Sequence, residues 1–265
     1  MSHITPAVIA VHAAVREQAP LVQCITNYVS MDLAANVLNA AGASPAMVHD
    51  PREAGEFARI AGAVVANIGT PSPRWVDGML EAAEAARDTG KPWVLDPVAV
   101  GATSYRRETV DRLLEFEPTV IRGNASEVLT IATSTSGGRG VDSDASLDDV
   151  RGHADALAKR TGAVVAVTGP EDYVTDGVRE PLVLRGGDPR MPMITALGCS
   201  LSALVGACLA AHDDTFEATT GALAVMSAAG EIAGASAEGP GSLRWRLLDE
   251  LARLDAGGLA QHVDG

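Results

Sequence analysis

Trp93-Val94-Leu95-Asp96-Pro97-Val98 is a short apolar run that holds one carboxylate and one proline. Three other runs share its aliphatic character, at residues 63–68, 119–122 and 164–168, and a turn and a helical pattern follow each of them. Short runs of this kind are typical of strands buried on both faces, as the strands of a parallel sheet are. Their alternation with helices predicts an α/β fold with a mainly parallel central sheet.

Capping residues and glycines mark the ends of two helices. Ser72-Pro73 predicts a helix start and Gly90 its end, because a hydroxyl can accept a first-turn N–H and proline suits the first helical position. Ser30 and Gly42 bound a second predicted helix in the same way. Further helices are predicted at residues 146–162, 200–212, 215–237 and 243–254.

A hairpin is predicted near the end of the sheet. Asp176-Gly177 lies between strand-like segments at residues 173–175 and 181–184, and this dipeptide is a frequent two-residue turn. The hairpin would add antiparallel strands to one edge of the sheet. The polar, glycine-rich segment at residues 133–144 fits either a surface loop or an active-site flap, and we favour the surface loop.

Length and charge limit the possible partners. The chain has 265 residues, 47% of them hydrophobic, and fits one domain over residues 1–265 better than two ordinary domains. Its net charge of −14 would repel nucleic acid and anionic membranes, so we expect neither as a partner. A nucleotide is not excluded, since a phosphate site needs only local donors such as a helix N-terminus.

The cysteines indicate a reducing compartment. Cys24, Cys199 and Cys208 form no CxxC pair and no Cys/His metal pattern. The first twenty residues have no basic leader before an apolar run, and no stretch reaches the roughly 18 apolar residues of a membrane span. We therefore expect a cytoplasmic protein.

Polar residues follow the predicted strands at the edge where open parallel sheets bind ligands. Asp96 and Glu127 could share one Mg²⁺, which is typically held by one or two carboxylates together with water and substrate phosphates. A capping or salt-bridging role is the alternative for each. For Glu127 it has equal weight, because Ser126-Glu127 also resembles an acidic first helical turn.

The turn Thr195-Ala196-Leu197-Gly198-Cys199-Ser200 leads into an apolar helix. Its glycine would let the backbone approach a ligand, and the first N–H groups of the helix could bind an anion such as a phosphoryl group. A helix N-terminus is expected to lower the pKa of Cys199 and make the thiol a better proton acceptor. The alternative is an ordinary loop with a buried cysteine.

Several of these residues lie in motifs that resemble the hydroxyethylthiazole kinases of thiamine salvage, and the similarity extends over nearly the whole chain. The motifs are Ile25-Thr26-Asn27-Tyr28-Val29, Ala40-Ala41-Gly42-Ala43-Ser44-Pro45-Ala46-Met47, Asn67-Ile68-Gly69-Thr70, Leu95-Asp96-Pro97-Val98, Arg122-Gly123-Asn124-Ala125-Ser126-Glu127 and Val167-Thr168-Gly169.

The resemblance implies a ribokinase-like three-layer sandwich, ATP as phosphoryl donor with Mg²⁺, and 4-methyl-5-(2-hydroxyethyl)thiazole as acceptor. It also implies a homotrimer with sites between subunits. The site residues that it implies fall into four groups: Arg122, Asn124, Thr168 and Gly169 for ATP; Asp96 and Glu127 for Mg²⁺; Asn27, Met47, Gly69 and Ala196 for the thiazole; Gly198 and Cys199 at the transfer centre. Cys199 would accept the hydroxyl proton, although phosphoryl transfer depends mainly on positioning and charge stabilisation.

Two departures from the family pattern bear on activity. Ala196 and Leu197 replace a glycine and a threonine of Thr-Gly-Thr-Gly-Cys, and Ala99-Val100 stands where glycine and alanine are usual; the added bulk could narrow the pocket. The nearest alternative is another kinase of the same fold that acts on hydroxymethylpyrimidine, a pyridoxal-like ring or a sugar. A second alternative is a thiazole- or nucleotide-binding protein whose catalysis is impaired by the Ala196 and Leu197 changes. A purely structural protein fits least, because it would need no such array of polar strand ends.

Overall fold

The structure, a computed structural model, describes residues 4–134 and 147–263. Its strands are β1 (Leu21–Ile25), β2 (Ser44–Ala46), β3 (Ala63–Asn67), β4 (Trp93–Asp96), β5 (Val120–Asn124), β6 (Val164–Thr168), β7 (Asp172–Thr175) and β8 (Leu182–Leu184). Its α-helices are α1 (Thr5–Gln18), α2 (Met31–Ala41), α3 (Pro51–Ile60), α4 (Pro73–Thr89), α5 (Ser104–Leu114), α6 (Ala125–Ser134), α7 (Leu147–Thr161), α8 (Leu197–Ala211), α9 (Thr215–Gly234), α10 (Pro240–Arg253) and α11 (Ala256–His262).

The strands form one mixed sheet in the order β2-β1-β3-β4-β5-β6-β7-β8. The first six strands in this order pair in parallel, and β6, β7 and β8 pair antiparallel. The predicted strands and the predicted hairpin are therefore confirmed. The largest differences in their boundaries are two residues: β4 ends at Asp96, before Pro97, and β5 continues to Asn124. The other boundaries agree to within one residue.

Helices cover both faces of the sheet. Successive strand residues point to opposite sides: Val94 packs with α1, α2 and α8 to α11, whereas Leu95 packs with α3 to α7. The two hydrophobic cores thus lie above and below the sheet, and the predicted three-layer α/β architecture is confirmed.

Helix ends follow the capping signals with one exception. The Ser72 hydroxyl accepts from the Trp75 N–H at the start of α4, and Gly90 ends that helix with a φ of 65°. Ser30 precedes α2 but its hydroxyl bonds to Thr26 Oγ1 at 2.6 Å and does not cap the helix. The predicted loop at 133–144 begins within α6, and from residue 135 it lies outside the described residues.

Helix α8 starts at Leu197, three residues before the predicted start. Gly198 and Cys199 therefore belong to its first turn, where the N–H groups have no partner within the helix. Within the described ranges, no helix is long and apolar enough to cross a membrane.

Candidate functional site

Polar side chains from five segments meet at the carboxyl edge of the parallel strands. The β3–β4 register pairs Asn67 with Asp96, and the β5–β6 register pairs Asn124 with Thr168. Each pair lies level across two neighbouring strands near this edge. The first turn of α8 lies over this edge. The structure thus brings together most residues that the sequence suggested.

Asp96 is the centre of this group. Its side chain is fully buried, and its Oδ2 accepts hydrogen bonds from Asn67 Nδ2 and Ser202 Oγ, both at 2.7 Å. Its Oδ1 has no hydrogen-bond partner among the described residues. Burial raises the pKa of Asp96, while Arg122, Ser202 and Asn67 oppose the rise by stabilising the carboxylate.

A hydrogen-bonded chain extends from Asp96 to Cys199. Asn27 Nδ2 donates to Asn67 Oδ1 at 2.8 Å and to Cys199 Sγ at 3.4 Å. Asn27 Oδ1 in turn accepts from the N–H groups of Val29 and Ser30, so the whole amide is engaged and held in one orientation. Asn27 therefore positions Cys199 and Asn67.

Gly69 allows this chain to pack closely. A Cβ at Gly69 would lie 2.3 Å from Asn27 Nδ2, closer than any side chain could tolerate. The Gly69 N–H also donates to Asn67 Oδ1 at 2.9 Å. A glycine at this position is thus a geometric requirement of the Asn27–Asn67 pair.

Arg122 connects Asp96 to the β5 and β6 side of the edge. Its Nη1 lies 3.7 Å from Asp96 Oδ2, and its Nη2 donates to Thr168 Oγ1. A Cβ at Gly198 would lie 3.0 Å from Nη1, so the guanidinium sits directly against the first turn of α8. A cation and a helix N-terminus that meet in this way form a binding site for an anion.

Glu127 is a helix cap in this structure. Asn124 precedes α6 and accepts from the Glu127 N–H, while Glu127 Oε2 accepts from the Asn124 N–H, both at 2.9 Å. Glu127 Oε1 accepts from the Ala99 N–H at 2.8 Å and so ties α6 to the loop after β4. Burial raises the pKa of Glu127, and the nearby Asp96 carboxylate adds to the rise.

The prediction that the helix N-terminus lowers the pKa of Cys199 is wrong, because the pKa is raised. Burial raises the pKa of this thiol, and the neighbouring Asp96 carboxylate raises it further because a second negative charge is disfavoured. Hydrogen bonds from the amides of Asn27 and Asn67 and the charge of Arg122 oppose the rise. Burial outweighs these effects, so Cys199 is held mainly as a neutral thiol at pH 7.

Two residues that the sequence did not single out fix the loops around this edge. Arg106 of α5 donates to the carbonyls of Ile68, Val98 and Gly69, each at 2.7 Å, and so joins the loops after β3 and β4. Asp172 Oδ1 accepts from the Gly169 N–H at 3.1 Å, and burial raises its pKa to about 6.

The residues that depart from the family pattern are accommodated in two ways. Ala196 and Ala99 adopt left-handed backbone conformations, with φ of 69° and 53°, where glycine carries no steric cost. Leu197 and Val100 are buried in the two hydrophobic cores. Both side chains therefore pack against the protein interior.

The described part of the site offers few side chains that could bind a metal ion. Within the described ranges no group of three or more His, Cys, Asp or Glu side chains could hold a metal ion. The unpartnered Oδ1 of Asp96 is nevertheless the kind of hard oxygen that Mg²⁺ prefers, and two carboxylates suffice where phosphates complete the coordination. These side chains thus fit a cation whose coordination is completed by the phosphates of a bound ligand.

The sheet order and the position of this edge define a ribokinase-like fold. A solved ribokinase-like superfamily protein from Enterococcus faecalis matches with a TM-score of 0.63 at 11% identity, covering 92% of this chain and 89% of that chain. At this identity the likeness shows the fold alone.

Three further comparisons identify the family. The model of the hydroxyethylthiazole kinase family matches residues 12–257. A hydroxyethylthiazole kinase from Rhizobium johnstonii is 59% identical over 244 residues, which cover 92% of this chain and 91% of that protein. A solved hydroxyethylthiazole kinase protein from Pyrococcus horikoshii has a TM-score of 0.90 at 36% identity and covers 97% of both chains. The chain belongs to the hydroxyethylthiazole kinase family.

Proposed function

We propose that this protein, as a single kinase domain over residues 1–265, transfers the γ-phosphoryl group of ATP to the hydroxyl of 4-methyl-5-(2-hydroxyethyl)thiazole in thiamine salvage. The observation that carries the proposal is the continuous polar chain Cys199–Asn27–Asn67–Asp96–Arg122–Thr168 at the ligand-binding edge of the sheet. Family membership supports the reaction and the acceptor.

The phosphate side of the site is formed by Arg122, Thr168, Asn124 and Gly169. Arg122 would neutralise charge on the phosphates, and the first-turn N–H groups of Gly198 and Cys199 would donate to the phosphoryl group in transit. Asp96 and Glu127 would hold Mg²⁺, which supplies positive charge to the transferred phosphoryl group. Asp96 offers a free oxygen for this role, whereas Glu127 would serve while also capping α6.

In the reaction, the thiazole hydroxyl oxygen forms a bond to the γ-phosphorus, and the bond from that phosphorus to the bridging oxygen of ADP breaks. Cys199 lies where it could accept the hydroxyl proton. Only the thiolate form of Cys199 can take up this proton. Because the pKa of Cys199 is raised, little thiolate is present at pH 7, so proton transfer to it would contribute less than charge stabilisation. Asn27, Gly69, Met47 and Ala196 would border the thiazole.

We further propose a homotrimer with sites between subunits, located in the cytoplasm. Tyr28 and Val29, which follow Asn27 directly, are 66% and 58% exposed, and a neighbouring subunit would cover this apolar surface. Three free cysteines support a reducing compartment. Sedimentation should give three times the chain mass of 27.2 kDa.

The proposal is tested by phosphate transfer from MgATP to the thiazole, with hydroxymethylpyrimidine and pyridoxal as competing acceptors. We expect selective thiazole phosphorylation. Transfer to another acceptor would show that the protein is a kinase of the same fold with a different substrate. Thiazole or nucleotide binding in a thermal-shift assay, with no product from any acceptor, would instead identify a binding protein with impaired catalysis.

A further inference from the structure

Two separate segments carry the residues proposed to border the acceptor. Asn27 lies in the segment between β1 and α2, and Met47 lies just after the short edge strand β2. Both segments pack against one side chain, Trp75 in the first turn of α4, which is 6% exposed. The backbone N–H of Trp75 donates to the capping hydroxyl of Ser72 at 3.4 Å, which fixes the start of the helix that carries this side chain.

Trp75 holds the first segment on both sides of Asn27. Its indole Nε1 donates to the Thr26 carbonyl at 2.8 Å. The Tyr28 ring packs against the indole, with centroids 4.8 Å apart and an angle of 51° between the rings. A hydrogen bond before Asn27 and a ring contact after it therefore set where this residue lies.

Trp75 holds the second segment through His49. The His49 ring stacks on the indole with centroids 3.9 Å apart and an angle of 18°. Its Nδ1 lies 3.2 Å from the Met47 carbonyl and bonds to it. Gly78, one turn further along α4, lets the helix approach this segment, because a Cβ there would lie 2.1 Å from the His49 carbonyl oxygen.

We infer that Trp75 is a positioning residue for the acceptor: it sets the spacing between Asn27 and Met47 and thereby the affinity and selectivity for the thiazole. The inference rests on the proposed function, which places the acceptor between these segments. The phosphate side lies at the ends of β5 and β6, on other parts of the chain. A change at Trp75 should therefore alter acceptor binding and leave nucleotide binding intact.

The structure provides a matched control. Trp93 is also buried, and its indole Nε1 donates to a backbone carbonyl, that of Phe116, at 3.0 Å. It lies at the start of β4, at the opposite end of the strand from Asp96. Trp75→Phe and Trp93→Phe thus remove the same kind of hydrogen bond and keep an aromatic ring, but only the first does so beside the acceptor segments.

The experiment measures the Kd of the thiazole and of ATP by calorimetry on the full-length protein, with turnover followed in parallel. We expect Trp75→Phe to raise the thiazole Kd about tenfold, equivalent to about 1.4 kcal/mol, and to leave the ATP Kd within about twofold. Trp93→Phe should leave both constants unchanged. His49→Phe keeps the stacked ring but loses the bond to Met47, so it should also raise the thiazole Kd and provides a second variant if Trp75→Phe does not fold.

The possible results separate the two proposals. The role of Trp75 would be overturned if Trp75→Phe and His49→Phe both left thiazole binding unchanged, or if Trp93→Phe weakened it equally. Neither result would contradict the proposed function. A wild-type protein that binds no thiazole would overturn the proposed function together with this inference.

Discussion

Asp96 Oδ2 and Arg122 Nη1 lie 3.7 Å apart in the interior, yet each residue keeps a polar atom, Oδ1 and Nε, with no hydrogen-bond partner in the described part of the chain. Buried polar atoms without partners cost free energy. A cation at Asp96 and a phosphate at Arg122 would supply partners for these two atoms. The unpartnered atoms therefore favour the binding of a charged ligand.

Asp96→Asn should weaken the response to Mg²⁺. The substitution keeps the shape of the side chain but removes its charge, and we expect about a 100-fold loss of turnover, comparable to the loss of one electrostatic stabiliser in other active sites. Steady-state kinetics over a series of Mg²⁺ concentrations should show a higher half-saturating value. Ser202→Ala, which keeps the carboxylate and removes one donor to it, should cost only about tenfold. An unaltered Mg²⁺ titration in Asp96→Asn would remove this residue from cation binding.

Cys199→Ala should slow turnover about tenfold or less, below the roughly 100-fold effect of an efficient proton-transfer group, because little thiolate is present at pH 7. The KM for ATP should stay nearly constant, because the proposed contacts to the phosphates come from Arg122 and backbone N–H groups and not from the thiol. Since the pKa of Cys199 is raised, wild-type kcat should increase with pH above neutrality as thiolate forms, and the variant should lose this increase. Equal turnover in both proteins would exclude the thiol from the mechanism.

Ala196→Gly and Ala99→Gly should each stabilise the protein slightly. The left-handed conformation costs an alanine about 1 kcal/mol or more, and the greater freedom of glycine in the unfolded chain offsets part of the gain, leaving about 0.5 kcal/mol. Thermal unfolding should show a rise in Tm of about 1–2 °C. Ala13→Gly, on an exposed face within α1, is the control and should lower the stability by about 1 kcal/mol. A loss of stability in all three variants would contradict the argument.

His12 should make the free energy of unfolding depend on pH. Burial and Arg16 lower its pKa to about 4, against a weaker opposing effect of Asp255, and its neutral Nε2 accepts from Arg16 Nε at 3.1 Å. Between pH 6.5 and 4 the unfolded chain binds the proton and the folded chain does not, so stability falls as the pH falls through this range.

We expect the wild type to lose about 2 kcal/mol relative to His12→Gln between pH 7.5 and pH 5, measured by urea unfolding. Glutamine can still accept from Arg16 but does not titrate. The opposite contribution of Asp172, whose pKa is raised to about 6, cancels in the comparison because both proteins retain it. Parallel pH dependence in the two proteins would show that the pKa of His12 is the same in the folded and the unfolded chain.

Much of the fold was predictable from local patterns. Strand β6 was predicted from its apolar run, and helix α4 was predicted from the Ser72-Pro73 start and the Gly90 end. Strand β1 was missed because Gln23 interrupts it; this side chain is buried and donates to the carbonyls of Val48 and Ala54, both at 3.0 Å, contacts that appear only in the folded chain. Strand β2 was missed because Pro45 argues against a strand except at a sheet edge.

The site was predictable where strand ends carried charge, as at Asp96 and Arg122. Asn67 was noted in a motif without a role, and Ser202 was missed, although its spacing of three residues from Cys199 places both on one face of α8. The pKa of Cys199 could not be predicted from its place on the helix, because the burial and the neighbouring carboxylate that raise it come from distant segments.

The outermost strands β2 and β8 are each three residues long, and β2 contains Pro45, which has no N–H to offer another strand. An open sheet of eight strands would otherwise present two templates for edge-to-edge pairing between molecules. Short, interrupted edges give an incoming chain little to pair with, so this protein should resist aggregation when concentrated in its folded form.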